Sequence, residues 1–136
     1  MVKPIMRDAF FLNQKSEEAT KVDLPVAQDL EDTLKANRER CVGMAANMIG
    51  YRKRIIIVAT GLADIVMINP IITEKSEPYE TEEGCLSLPG VRKTTRFNKI
   101  TVRYFDKKFA EHTQSFSGYI AQIIQHECDH LEGILI

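Results

Sequence analysis

Apolar positions change their spacing along the chain, and each spacing predicts an element. Residues 1–23 mix short apolar groups with Lys, Glu and Thr, which predicts an arm and a loop. Val26, Ala27, Leu30 and Leu34 then recur at three and four. With Pro25 in a first turn that tolerates its missing N–H, they predict an amphipathic helix to about Arg40. Residues 41–50 are small and apolar with glycines at 43 and 50, a tight core turn or a place where backbone approaches another object. The β-branched runs 54–59 and 65–69 predict buried strands. Asn69-Pro70 should break the second, with residues 71–79 continuing as an edge strand ended by Pro78. Residues 82–90 read as a loop or short strand between turn formers. From Phe97, Ile100, Val102 and Tyr104 alternate with Thr101, Arg103 and Phe105, a half-exposed strand. Asp106-Lys107-Lys108 then turns the chain into a second strand through His112.

The last stretch returns to helical spacing. Phe116, Tyr119, Ile120, Ile123, Ile124 and Leu131 form an apolar stripe, with Ser115 or Ser117 to cap it and Gly133 to end it. At about 100° per residue, His126, Glu127 and His130 fall on that stripe, while Cys128 and Asp129 point elsewhere. Strands followed by one late helix predict an α+β fold, small antiparallel sheets packed around a C-terminal helix. No repeat, low-complexity tract or linker interrupts the chain, so one domain over 1–136 is expected.

Two imidazoles and a carboxylate on an apolar face need partners, because burying polar groups unpaired is costly. A divalent metal supplies them. Histidines four apart reach one ion, and the Glu between them can activate water. The bland alternative is a core helix with two satisfied histidines. Two ligands make a poor site, and catalytic sites usually offer three. Only six residues follow His130, so a third ligand must come from upstream. Cys41, Cys85, His112 and the acids are candidates. Cys85, beside Gly84 in a turn-rich stretch, is the best placed, and thiolate suits zinc or ferrous iron. Cys41 and Cys128 read as small packing residues and His112 as an exposed strand residue.

Composition narrows the setting. The 136 residues are 44% hydrophobic and 27% charged with a net charge of −1, the profile of a soluble globular protein and not of a nucleic-acid binder. Arg92, Lys93, Arg96, Lys99 and Arg103 form a local basic patch, read first as a solvated strand edge. No segment suggests a signal peptide or a membrane span, and three cysteines give no disulfide framework. A reduced, cytoplasmic protein is the simplest expectation.

Three blocks stand in order: Gly43-Met44-Ala45-Ala46, Glu83-Gly84-Cys85-Leu86-Ser87, and Gln125-His126-Glu127-Cys128-Asp129-His130-Leu131. From about Leu24 to Gly133 the chain strongly resembles the peptide deformylase family; the second and third blocks together are highly specific to it. The resemblance implies a compact α+β fold with a metal-bearing C-terminal helix. It implies removal of the N-formyl group from N-formylmethionyl nascent peptides, with ferrous iron as the working metal and zinc, nickel or cobalt as substitutes. Carried over by position, Cys85, His126 and His130 would bind the ion. Glu127 would move a proton from the attacking water to the leaving amine, and the Leu86 backbone N–H would face the oxyanion. Gly43 would bond substrate main chain, Val42 and Ile123 would line the methionine pocket, and Arg92 would contact the peptide. Glu83 and Asp129 would orient ligands.

The first block departs from the family pattern Gly-x-Gly-Leu-Ala-Ala-x-Gln. Cys41 replaces the first Gly, Met44 the Leu, and Met48 the Gln whose amide donates to the oxyanion. A thioether cannot donate. Losing one such donor typically costs about 10²–10³-fold in rate. Weakened turnover is therefore expected. Asn47, the nearest amide, occupies a variable position and should point away. The chain ends at Ile136, whereas many members continue into a segment that helps dock the ribosome, so ribosome association is not expected. Two alternatives to deformylation follow: binding formylmethionyl peptides without efficient turnover, or hydrolysing another small N-acyl group.

Overall fold

The computed structural model describes residues 1–135. After a short helix α1 (Ala9–Leu12) comes α2 (Leu24–Ala36), then β1 (Gly43–Ala45), β2 (Ile55–Ala59), β3 (Asp64–Cys85), β4 (Leu88–Phe105), β5 (Glu111–Ser117) and α3 (Gly118–Leu131). The strands form one antiparallel sheet in sequence order, β1-β2-β3-β4-β5. The α+β expectation holds, with a single five-stranded meander where small separate sheets were expected.

The core lies where the apolar spacings meet. Leu30 and Leu34 of α2, Ile55, Ile56 and Ile57 of β2, Met67 and Ile68 of β3, and Ile124 and Leu131 of α3 are all buried. Each such side chain contributes about 1.5–3 kcal/mol relative to leaving it in water. Helix α3 packs against β1, β2 and β4, while α2 covers β2. None of the described helices is long and apolar enough to cross a membrane.

Strand extents differ from expectation. Asn69-Pro70 does not end β3. Asn69 takes a left-handed φ of 52° and its amide pairs with Ala19 in both directions, at 2.7 and 2.9 Å. The punctuation makes a bulge, and the strand runs on beyond it. Pro78 does not end it either. It pairs with Phe97 in the part of β3 that β2 no longer flanks, an edge where a missing N–H is tolerated. Residues 82–85 pair with 88–93, so the expected loop is the tip of a long β3–β4 hairpin turning at Leu86 and Ser87. That tip carries Cys85.

The helical stripe is also trimmed. Phe116 belongs to β5, opposite Ile100, and Tyr119 is 64% exposed. Ser117 is the N-cap residue of α3 without a side-chain cap bond, and Ser115 Oγ meets Thr101 Oγ1 instead. Gly133 follows the helix at φ 77°, where a Cβ would stand 2.5 Å from the Asn13 carbonyl oxygen. Only glycine fits that approach.

Candidate metal centre

One turn of α3 separates His126 from His130, and their Nε2 atoms stand 3.1 Å apart. The end of β3 brings Cys85 Sγ to 3.2 Å from His130 Nε2. The three donor atoms lie within 4.8 Å of one another, on one half-buried and two buried residues. Tetrahedral donors about 2.0–2.1 Å (nitrogen) and 2.3 Å (sulfur) from one ion would sit roughly 3.3–3.6 Å apart, so the donor set fits a single divalent metal. Burial alone would lower His126, but the nearby Cys85 and the hydrogen bond to Glu83 outweigh that and raise it to about 10, while burial holds His130 down to about 3. A ligating imidazole is neutral, so an ion bound here would displace a proton from His126.

A polar network backs the donors. His126 Nδ1 meets Glu83 Oε1 at 2.8 Å. Arg96 grips Glu83 with Nε at 3.0 Å and Nη2 at 2.7 Å, and its Nη1 reaches Asp129 Oδ2 at 2.6 Å. Gln122 Nε2 adds a bond to Glu83 Oε2 at 2.9 Å. Burial would raise the Glu83 carboxyl, yet His126, Arg96 and Gln122 together hold it down to about 2. Glu83 thus meets His126 directly, and Asp129 is joined to Glu83 through Arg96. Arg96 departs from expectation. It is 4% exposed and pinned between two acids, not part of a solvated basic edge. The overlooked signal was charge balance: two acids assigned to a buried site require a cation beside them.

Glu127 faces the same cavity. It is buried, its Oε1 has no hydrogen-bond partner among the described residues, and burial pushes its carboxyl up to about 7. Gly43 makes the room, since a Cβ there would stand 2.6 Å from Ile123 Cγ2 and 3.1 Å from Glu127 Oε2. The cavity, about 310 Å³, is lined by Val42, Gly43, Met48, Cys85, Leu86, Ile123 and Glu127 among others. Arg92 is outside that lining, exposed on β4 and near only the Pro89 carbonyl, whereas Arg40 is within it. Met48 is buried, with its sulfur 3.4 Å from the Ala45 amide nitrogen. Asn47 is turned to the backbone, its Nδ2 bonding the His130 carbonyl at 2.8 Å, and does not replace the missing amide. Cys41 also lines the cavity, its thiol donating to the Gly43 carbonyl at 2.7 Å and pushed up to about 12 by burial. His112 pairs with Asp106 on the surface, away from the donors.

A family model described as polypeptide deformylase matches residues 3–136. A peptide deformylase of Clostridium beijerinckii is 59% identical over 136 residues, covering 100% of both chains. Among solved structures, a class I type b peptide deformylase from Acinetobacter baumannii with Met-Ala-Ser bound superposes with a TM-score of 0.89 at 31% identity, covering 99% of this chain and 97% of that one. The peptide deformylase from Thermotoga maritima gives the same TM-score at 30% identity, covering 99% and 95%.

Proposed function

The chain belongs to the peptide deformylase family, and from that premise we propose that its cavity removes the N-formyl group from N-formylmethionyl peptides. What supports this reading is the cluster of Cys85, His126 and His130, of which Cys85 and His126 line the same cavity as Glu127, whose Oε1 has no hydrogen-bond partner among the described residues. Cys85, His126 and His130 would hold the ion, ferrous iron in the cell, with zinc, nickel or cobalt also compatible with one thiolate and two imidazoles. When bound, a divalent ion lowers the pKa of water to about 7 and polarises a carbonyl.

The chain's own residues do the rest. Glu127 takes the proton from the attacking water and delivers it to the amine that leaves as formate separates. The Leu86 N–H, at the hairpin tip, stabilises the developing oxyanion. Gly43 meets substrate main chain, and Val42 with Ile123 lines the methionine side-chain pocket. Arg92 would meet the peptide only beyond the cavity wall. The substrate class is supported by the Acinetobacter structure, since Met-Ala-Ser is what formyl-Met-Ala-Ser becomes on deformylation. The setting in this reading is a single cytoplasmic domain acting on nascent peptides.

Met48 sets the rate. It leaves the peptide site intact and removes one oxyanion donor, so transition-state stabilisation falls more than binding. That same residue favours a second reading, a protein that holds formylmethionyl peptides without efficient turnover. Formate release from formyl-Met-Ala-Ser by the iron- or nickel-loaded protein separates them. Slow turnover is expected, abolished by Glu127→Ala and raised by Met48→Gln, by up to about 10²–10³-fold if the amide reaches the oxyanion. No formate from the parent or from Met48→Gln, at full metal occupancy, would sink the deformylase reading and leave binding without turnover or hydrolysis of another small N-acyl group.

A further inference from the structure

The N-terminal arm touches both walls of the cavity at consecutive residues. The Met6 N–H donates to the Met48 carbonyl at 2.7 Å. The Arg7 guanidinium Nη1 donates to the Leu86 carbonyl at 2.9 Å. Met48 is the position that has lost the family's oxyanion amide, and Leu86 carries the N–H that remains. The arm is tied on either side of this bridge. Upstream, the Lys3 N–H donates to Thr33 Oγ1 at 2.9 Å, and the Met1 amine pairs with Asp29 and Asp32. Downstream, Asp8 caps α1 through the Phe10 N–H at 2.9 Å, and Leu12 is fully buried in the core. A segment fixed at both ends presents Arg7 to Leu86 without further ordering of the backbone.

We infer that Arg7 is a positioning residue for the oxyanion donor, holding Leu86 from outside the cavity. The inference rests on the reading of the Leu86 N–H as that donor. Arg7 does not line the cavity, so it acts on the hairpin tip and not on substrate. Leu86 sits in a two-residue turn with Cys85 before it and Ser87 after it. Cys85 is fixed on one side by the donor cluster. On the other, the Leu86 carbonyl belongs to the next peptide plane, and Arg7 fixes that plane. The two anchors set the torsions of Leu86 and with them the direction of its N–H. Positioning matters more here than in a site with two donors, because a misdirected N–H has no amide at position 48 to compensate.

Arg7→Ala and Arg7→Lys, each metal-loaded, test this by two readouts beside the parent. The first is hydrogen exchange of the amides at 85–87. The second is the split between kcat and KM for formyl-Met-Ala-Ser. With the anchor gone, Arg7→Ala exchanges those amides about tenfold faster and loses about tenfold in kcat, with KM, metal content and Tm close to the parent. Arg7→Lys recovers most of both, since one charged N–H donor can still reach the carbonyl. Exchange and kcat both within about twofold of the parent in Arg7→Ala would overturn the inference. So would an equal loss in Arg7→Ala and Arg7→Lys accompanied by a fall in Tm, which would mark a merely structural residue. Faster exchange with no formate from the parent would keep Arg7 as the anchor of Leu86 and sink instead the deformylase reading.

Discussion

The two halves of the cavity are built by opposite means. On the ligand side, Glu83, Arg96, Asp129 and Gln122 form a closed set of hydrogen bonds around His126. On the side of β1, the wall is Val42, Gly43, Met48 and Ile123, small or apolar throughout. The ligand side controls charge, because a cation site must be held open against three neighbouring donors. The β1 side controls space, because a buried carboxylate and a peptide must fit beside it. Substitutions should therefore act through electrostatics on one side and through volume on the other.

The largest effect is expected from removing the cation that joins the ligand side. Arg96→Met leaves Glu83 and Asp129 without their counter-charge at a position only 4% exposed. Breaking a buried ion pair in this way typically costs about 3–5 kcal/mol. Denaturant unfolding of the metal-loaded protein measures it. Loosening Glu83 also frees His126, and a lost ligand-orienting partner typically weakens metal binding by about 10–100-fold, readable by chelator competition. Adding Glu83→Gln to Arg96→Met should recover part of the stability, because it removes the stranded charge. Unchanged stability and metal affinity in the single variant would show that the network does not distinguish the two sides.

On the β1 side the informative change is one methyl group. In Gly43→Ala the new carbon starts 2.6 Å from Ile123 Cγ2 and 3.1 Å from Glu127 Oε2, so one or both must shift. Overpacking of this kind costs about 1–3 kcal/mol. Displacement of Glu127 should lower kcat while the three ligand residues keep their metal. Loss of metal together with activity would mean that β1 and the ligand side are one mechanical unit, and the comparison would fail.

What the sequence made legible follows the same division. His126, Glu127 and His130 were readable from helical spacing alone, because period and chemistry coincide on one stripe. Cys85 was readable as the best upstream thiol, though its place at a hairpin tip was not, since the glycines and Pro89 around it look like loop. The strand extents failed at Asn69 and Pro78, where local punctuation gives way to pairing across the sheet. Arg96 was invisible as a buried cation because a basic run on a strand has the pattern of a solvated edge, and only the fold brings Asp129 opposite it. The arm contacts of Met6 and Arg7 reach backbone carbonyls about forty and about eighty positions away in sequence, and neither carries a periodic signal.

The smallest effect tests whether burial or geometry gives the ligand side its strength. Arg38 and Asp64 form a two-point pair at 2.9 and 2.6 Å through Nη1 and Nη2, a fork on a carboxylate as Arg96 is on Glu83 through Nε and Nη2. Their side chains are 48% and 25% exposed, so water and salt screen them. The Arg38 hydrogen bonds hold the Asp64 carboxyl below its ordinary value of 3.8. The sign follows from that depression. The pair's contribution is full above the unfolded carboxylate's pKa and fades as pH falls through the lower folded one. Asp64→Asn should therefore lower Tm by no more than about 3 °C at pH 7, with the difference vanishing in acid and shrinking in high salt. A loss at Asp64 as large as that at Arg96 would mean that fork geometry alone carries the strength. A small one places the difference in the exclusion of water around Arg96, which is what lets three charged groups hold one imidazole in place.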